Sequence, residues 1–314
     1  MARPSEYLAG LGYASIFGLS FLVTKGSLEV LAPFELLFLR FALAALILGA
    51  LAIFRVIKLD FRGKSLGNLA LACLFQPFLY FIGETFGVRD SASSTAGLVI
   101  GVLPAVGTIL GAIMLGEAVG LLQGLFLGLS VLGVGAIALF GGAADGATGS
   151  PAGFVFLLGA VGSAALYNIF SRRSSRVFTP IETTFAMMWS GAILFGLLAV
   201  LGGAGAFEGS FARGTGFGPE LLSRAWKAAP GIVYLGALSS VLAFFFINFT
   251  LSRLRVSQSI VFSNLTTVIS VAAGVLIRGE PFGIAQLAGS AMIVAGVWGT
   301  NAFASSRPVK AHGP

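Results

Sequence analysis

The chain has 314 residues, 57% of them hydrophobic and only 10% charged, with a formal net charge of +7. A soluble domain carries roughly 25% charged residues, so this composition excludes a water-facing surface and reads as an all-α integral membrane protein. The basic excess is therefore read by its placement across a bilayer and not as a nucleic-acid signal.

Cys73 is the only cysteine and His312 the only histidine. An intrachain disulfide, a thiolate metal site and a buried histidine relay are thereby excluded, and no metal or cofactor is expected. A bilayer-crossing helix needs about 20 apolar residues. Ten such stretches follow in chain order: Tyr7–Leu28, Pro33–Phe54, Leu66–Gly87, Ala92–Leu115, Gly120–Phe140, Ala152–Arg172, Pro180–Leu201, Gly231–Leu251, Ser257–Ile277 and Phe282–Phe303. Arg3 ahead of the first stretch is reminiscent of a signal peptide, but Glu6 and the late Lys25 fit that poorly, so a retained helix is expected. Pro33 and Pro180 stand where a helix can begin, because proline lacks only an N–H that would be unpaired there.

The chain repeats itself. At an offset of 163, Ser94 falls on Ser257, Gly111 on Gly274, Gly116 on Gly279, Glu117 on Glu280, Gln123 on Gln286 and Gly133 on Gly296. A weaker match at 147 places Gly12 on Gly159, Lys25 on Arg172, Pro33 on Pro180 and Glu35 on Glu182. Registration of this kind indicates duplication. The expected organisation is one five-helix repeat at 1–140, a flexible linker at 141–151, a second repeat at 152–303 and a cytoplasmic tail at 304–314.

With the N-terminus in the cytoplasm, 12 Lys and Arg fall on the cytoplasmic side and five on the other. That excess predicts both termini inside. Five spans per half is an odd number, so the second half runs in the opposite sense. The expected fold is ten transmembrane helices as two inverted five-helix repeats, a plan that places substrate near the midplane between repeats. The glycine pairs and runs Gly97/Gly101, Gly107/Gly111 and Gly120/Gly124/Gly128 present small faces for helix packing. The same faces could serve a homodimer.

Val102-Leu103-Pro104 followed by Leu115-Gly116-Glu117, its partner ending Arg278-Gly279-Glu280, and Leu39-Arg40-Phe41 resemble the EamA-type repeat of the drug/metabolite transporter superfamily. The resemblance covers nearly the whole chain, and in overall character it is greatest to the bacterial aromatic amino-acid exporters. It implies ten helices, cytoplasmic termini, a multi-pass protein of the bacterial inner membrane and export of small organic molecules. Thr267 stands where the repeat would place a second proline, matching Pro104, which puts a symmetric helix break in doubt.

Polar groups near the midplane of a membrane usually face a cavity or a partner. By depth, the candidates for substrate binding are Gln76 and Tyr80, one turn apart beside Pro77, then Ser163 and Tyr167, Trp189, Ser239 and Ser240, and Asn264 with Thr267. Serines and threonines in this set could equally bond their own helix, and the amides could join helices. Arg40 must find a partner, a substrate carboxylate or, as the expected structural ion pair, Glu84 or Glu35; Glu84 could also couple transport. Lys25 is expected to snorkel. Asn168, Arg172 and Glu182 belong to the cytoplasmic rim, as part of an inner gate.

The expected activity is secondary export of amino acids, aromatic and other hydrophobic ones included, by alternating access. Cationic drugs, sugars or other metabolites are the alternative substrates, and a passive channel the alternative mechanism. No His–Glu metal motif, paired catalytic aspartates, serine elbow or nucleotide-binding loop is present, so no enzyme is expected.

Overall fold

The computed structural model describes residues 4–115, 119–140, 150–205, 217–253, 262–280 and 282–303. Among the described residues every regular element is a helix. In chain order these are α1 (Pro4–Ser27), α2 (Pro33–Ile53), α3 (Gly67–Arg89), α4 (93–115), α5 (Leu121–Phe140), α6 (Pro151–Ser174), α7 (Pro180–Gly203), α8 (Pro219–Lys227), α9 (Ala229–Arg253), α10 (Phe262–Arg278) and α11 (Ile284–Ala302). Seven of them are long and apolar enough to cross a membrane: α1, α2, α3, α4, α6, α7 and α9. Shorter apolar helices lie within α5, α10 and α11. The protein is a multi-pass helical membrane protein.

Local chemistry sets the ends. Proline occupies the first turn of α2, α6 and α7, where its missing N–H costs nothing. Thr179 and Glu182 form a reciprocal cap at the start of α7. α10 ends at Gly279, whose φ of +64° suits a residue without Cβ, and the N–H of Glu280 returns to the carbonyl of Gly274 at 3.1 Å. The matching turn at Gly116 and Glu117 lies outside the described residues.

Three helices are irregular. α3 widens into a π-helical stretch at Leu74–Leu79, where Gln76 leaves helical geometry (φ −150°, ψ 117°) and Pro77 follows it. α9 widens likewise at Tyr234–Ala243. α4 breaks at 101–102, just before Pro104, which has no N–H to offer the carbonyl of Ile100. By contrast α10, with Thr267 at the matching position, runs unbroken from Phe262 to Arg278.

The segment between α7 and α9, where no apolar stretch was expected, contains α8. That helix buries Leu221 and leaves Leu222 and Trp226, one turn apart, exposed, the pattern of a helix lying at a membrane surface. Nine residues with two basic groups near the end are too few and too polar to register as an apolar stretch.

Packing between helices is pairwise. α5 lies along α11, α2 along α7, and the first part of α4 against α10, while α1 packs on α10 and α9, and α6 on α4 and α3. Four apolar clusters result among the described residues, two of them large. One gathers Val99, Ile137, Leu157 and Ile293; the other gathers Leu37, Phe41, Phe81, Met187, Phe195 and Phe244. At the α5–α11 seam the backbones nearly touch. A Cβ on Gly133 would sit 2.7 Å from the carbonyl oxygen of Gly289, and one on Gly296 would sit 2.5 Å from the amide of Ser130. Gly97 and Gly101 of α4 are covered by Ser270 and Thr267 of α10 in the same way. Gly120, Gly124 and Gly128 differ: nothing stands within 4 Å of a Cβ there. Their spacing suggests a packing face, but within one chain that face is open.

Candidate functional site: a polar cavity between the two halves

A cavity of about 50 Å³ lies among the helices. α1 contributes Tyr13, Phe17, Ser20 and Phe21; α3 contributes Gln76, Tyr80, Phe81 and Glu84; α4 contributes Ile100 and Leu103. The second half supplies Ala164 and Asn168 from α6, Ser239 and Ile247 from α9 and Thr266 from α10. Gln76, Tyr80 and Glu84 follow at intervals of four, so one face of α3 forms a wall, with the π-helical stretch at its N-terminal end. One water needs about 10–15 Å³ by this measure, so the cavity has room for several waters.

The cavity is lined by side chains short of partners. Gln76 and Asn168 are 6% and 3% exposed, and among the described residues no protein hydrogen bond reaches either side chain. Glu84 accepts one bond, from Thr85 Oγ1 to Oε2 at 3.3 Å. Buried polar groups are ordinarily satisfied. All three side chains line the cavity, where water or a solute can supply further bonds.

Of the residues expected from sequence, Gln76, Tyr80, Glu84 and Ser239 meet at this cavity. Ser240 lies one residue further and accepts from Arg40 Nε at 3.2 Å, as Ser239 accepts from Arg40 Nη2 at 3.0 Å. Ser163 and Tyr167 share one face of α6, but the cavity takes Ala164 and Asn168, the face one residue round, so Asn168 lines the cavity and not the rim gate expected of it. Tyr167 instead donates to Asn248 Oδ1 at 2.8 Å, and Asn248 in turn donates to Thr184 Oγ1 at 3.0 Å. Thr267 packs under Gly101 while its neighbour Thr266 lines the cavity. The side chain of Asn264 lies outside the described residues. Trp189 is away from the cavity: it lies over Gly49 of α2 and is 39% exposed. The buried stripe of α7 is Thr184, Met187, Met188, Gly191 and Phe195, and Trp189 falls off that stripe. Depth alone, without helical phase, could not separate these cases.

Two charge assignments are corrected. Among the described residues no ion pair within 4.0 Å joins Arg40 to Glu84 or Glu35; Glu35 pairs with Arg224 of α8 at 2.8 Å. Arg40, 1% exposed, holds the two serines and stands 4.3 Å from the ring centre of Phe81. Lys25 does not snorkel. Its ammonium donates to the carbonyls of Val88, Arg89 and Ser91 at 2.8–2.9 Å, a cation at the C-terminal end of α3. The missed lining residues of α1, Tyr13, Phe17, Ser20 and Phe21, do form a helical stripe in the sequence, but their aromatic members pass for ordinary lipid-facing material.

Polar ties bracket the cavity. At one end Glu280 accepts from the amide and hydroxyl of Ser93 at 2.9 and 2.7 Å and from the amide of Ser94 at 2.8 Å, capping α4. At the other, Glu182 accepts from Lys64 Nζ at 3.1 Å and from the amide of Asp60 at 2.8 Å, and Arg172 donates to the carbonyl of Leu251. Burial by itself would raise the Glu280 carboxyl, but the bonds from Ser93 and Ser94 outweigh it and hold the group below its ordinary value of 4.5. A depressed carboxyl adds stability above the unfolded value and loses it as pH falls through the folded one. Glu280→Gln is therefore expected to cost about 2–3 kcal/mol near neutrality, with the difference from wild type shrinking below pH 4.5. Thermal melts of both proteins in detergent between pH 7 and 4 measure this; a difference that does not change with pH would contradict it.

The comparisons with known proteins agree with this architecture. The EamA-like transporter family matches residues 4–139 and 151–302. The chain is 33% identical over 301 residues to the uncharacterized transporter YcxC of Bacillus subtilis, covering 95% of this chain and 93% of that one. It is 26% identical over 299 residues to a protein of Salmonella typhimurium named "Probable amino-acid metabolite efflux pump", covering 95% of each. One crystal structure matches with a TM-score of 0.64 at 23% identity, over 96% of this chain and 98% of the other, and so shares the fold. With both halves matched, this chain belongs to the EamA-like transporter family.

Proposed function

We propose that the protein is a secondary transporter that exports small organic solutes, amino acids with aromatic and other hydrophobic side chains among them, by alternating access. The carrying observation is the cavity, walled by both halves and lined by Gln76, Glu84 and Asn168. The Salmonella relative's name supports amino-acid export as the substrate class.

The inverted repeat underlies the mechanism. Counting the ten apolar helices in order, the third of each half, α3 and α9, carries the π-helical stretch. Exchange of the halves also maps the packing onto itself: α1 on α10 corresponds to α6 on α4, and α1 on α9 to α6 on α3. Gly133 against Gly289 corresponds, at the offset of 163, to Gly296 against Phe126, whose carbonyl lies 2.6 Å from a Cβ at Gly296. Two related halves that rock about their shared site would expose it to each side in turn. Gln76, Tyr80 and Ser239 face the substrate in this reading, and the ties at Glu280 and Glu182 release alternately.

The test is counterflow in proteoliposomes. Saturable exchange of labelled phenylalanine against internal phenylalanine is expected, and flux that rises linearly with concentration would favour a channel. Reporter fusions at Ala143 and Gly214 are expected to report the outside, and those at Lys64 and Ser174 the cytoplasm, because basic residues concentrate on that side. The reversed pattern would overturn the orientation.

A further inference from the structure

We infer that Glu84 is the docking point for a substrate ammonium group, and that the cavity prefers amines with an apolar body to the matching amino acids. This rests on the cavity being the transport site.

Glu84 differs from Glu35, Glu182 and the partly buried Glu280. Glu35 takes Arg224 and the amide of Ala32. Glu182 takes Lys64 and the amides of Asp60 and Thr179. Glu280 takes three donors from Ser93 and Ser94. Glu84, at 2% exposure, takes one long bond from its neighbour Thr85, and among the described residues its Oε1 has no donor. Buried carboxylates are kept by gathering donors. This one is left short of donors where it meets the cavity, with Arg40 acting on it only from beyond ion-pair distance, and a protonated amine supplies the missing donors and a cation in contact.

The walls fit the same ligand. Tyr13, Phe17, Phe21, Tyr80 and Phe81 line the cavity, and aromatic faces attract cations. Phe81 already receives the guanidinium of Arg40 at 4.3 Å. A substrate carboxylate is served less well. No Lys, Arg or His lines the cavity; Arg40 stands behind the lining and is engaged with Ser239 and Ser240. A carboxylate would leave water for amides and hydroxyls alone, with no cation to offset its desolvation.

The ranking that follows is amine, then amino acid, then the acid without nitrogen. Three probes share one aromatic body: phenethylamine, phenylalanine and 3-phenylpropionate. Their competition with exchange, and the shift in melting temperature each gives the purified full chain, are read at pH 7. Phenethylamine is expected to half-saturate at a concentration about tenfold below phenylalanine, the scale of one unmatched charge, and 3-phenylpropionate not to compete. Glu84→Gln is expected to weaken phenethylamine about tenfold or more. Glu84→Asp, which keeps the charge but withdraws it, is expected to fall between. Equal competition by 3-phenylpropionate overturns the inference, as do folded Gln and Asp variants that bind phenethylamine like wild type. Exchange of phenylalanine with no binding of phenethylamine would leave the transport reading standing and this inference lost. Glu84-dependent binding of phenethylamine without exchange of any of the three would do the reverse.

Discussion

Arg40→Ala is expected to destabilise the protein by about 3–5 kcal/mol, the range for removing one member of a buried set of charges. The guanidinium is 1% exposed, donates to Ser239 and Ser240 and lies against Phe81. Its loss leaves two hydroxyls without their donor and Glu84 without the nearest compensating charge. Arg40→Ala combined with Glu84→Gln is expected to be milder than Arg40→Ala alone, because the stranded carboxylate is gone. Ser239→Ala and Ser240→Ala, each losing one acceptor, are expected to cost about 1.5–3 kcal/mol at most. Reversible unfolding in mixed micelles measures all four. An Arg40→Ala protein within 1 kcal/mol of wild type, or a double variant no better than the single one, would show that the group is not held by these contacts.

What the sequence revealed and what it hid divide along a physical line. The apolar helices, the prolines at helix starts and the Gly279 turn were legible, because each depends on a residue's own properties; of the ten expected spans, seven are long and apolar enough to cross and three are shorter. Membership in the transporter family was legible through the paired Leu-Gly-Glu and Arg-Gly-Glu turns. Rotation about each helix axis was not. Sequence depth selected Ser163, Tyr167 and Thr267, whereas the cavity takes Ala164, Asn168 and Thr266, and Trp189 turns outward. The phase is set by which neighbour each helix meets, and the widened turns in α3 and α9 shift it further. Charge partners were hidden for the same reason. Glu35 finds Arg224 on α8, a helix too short and polar to appear in a search for spans.

Polar residues at helix ends tell a similar story. Lys25 satisfies three carbonyls at the end of α3, and Glu280 satisfies three donors at the start of α4. Both therefore grip the one turn between these helices, with charges matched to the ends they hold. Lys25 comes from the first half and Glu280 from the second. Only the Glu280 grip crosses between the halves, so a movement of one half against the other would act on it and leave that of Lys25 in place.

Gly296→Leu is expected to have a large effect at the seam between the halves. A Cβ there meets the amide of Ser130 at 2.5 Å and the carbonyl of Phe126 at 2.6 Å, both backbone atoms that cannot swing aside. Overpacking a core usually costs about 1–3 kcal/mol, and obstruction by backbone places this variant at or above the top of that range. Gly133→Leu, its counterpart at the offset of 163, meets the carbonyl of Gly289 at 2.7 Å and is expected to behave alike. Gly124 and Gly128 lie on the same helix as Gly133 and look no different in sequence, yet nothing stands within 4 Å of a Cβ at either. Gly124→Ala and Gly128→Ala are therefore expected to be neutral or to gain about 0.5–1 kcal/mol from helix propensity. The fraction of monodisperse protein after extraction, followed by thermal melts, ranks the four variants. If Gly124→Ala or Gly128→Ala proved as damaging as Gly296→Leu, the open face of α5 would have to be covered in the membrane, and cross-linking across it would then test a second copy as the cover.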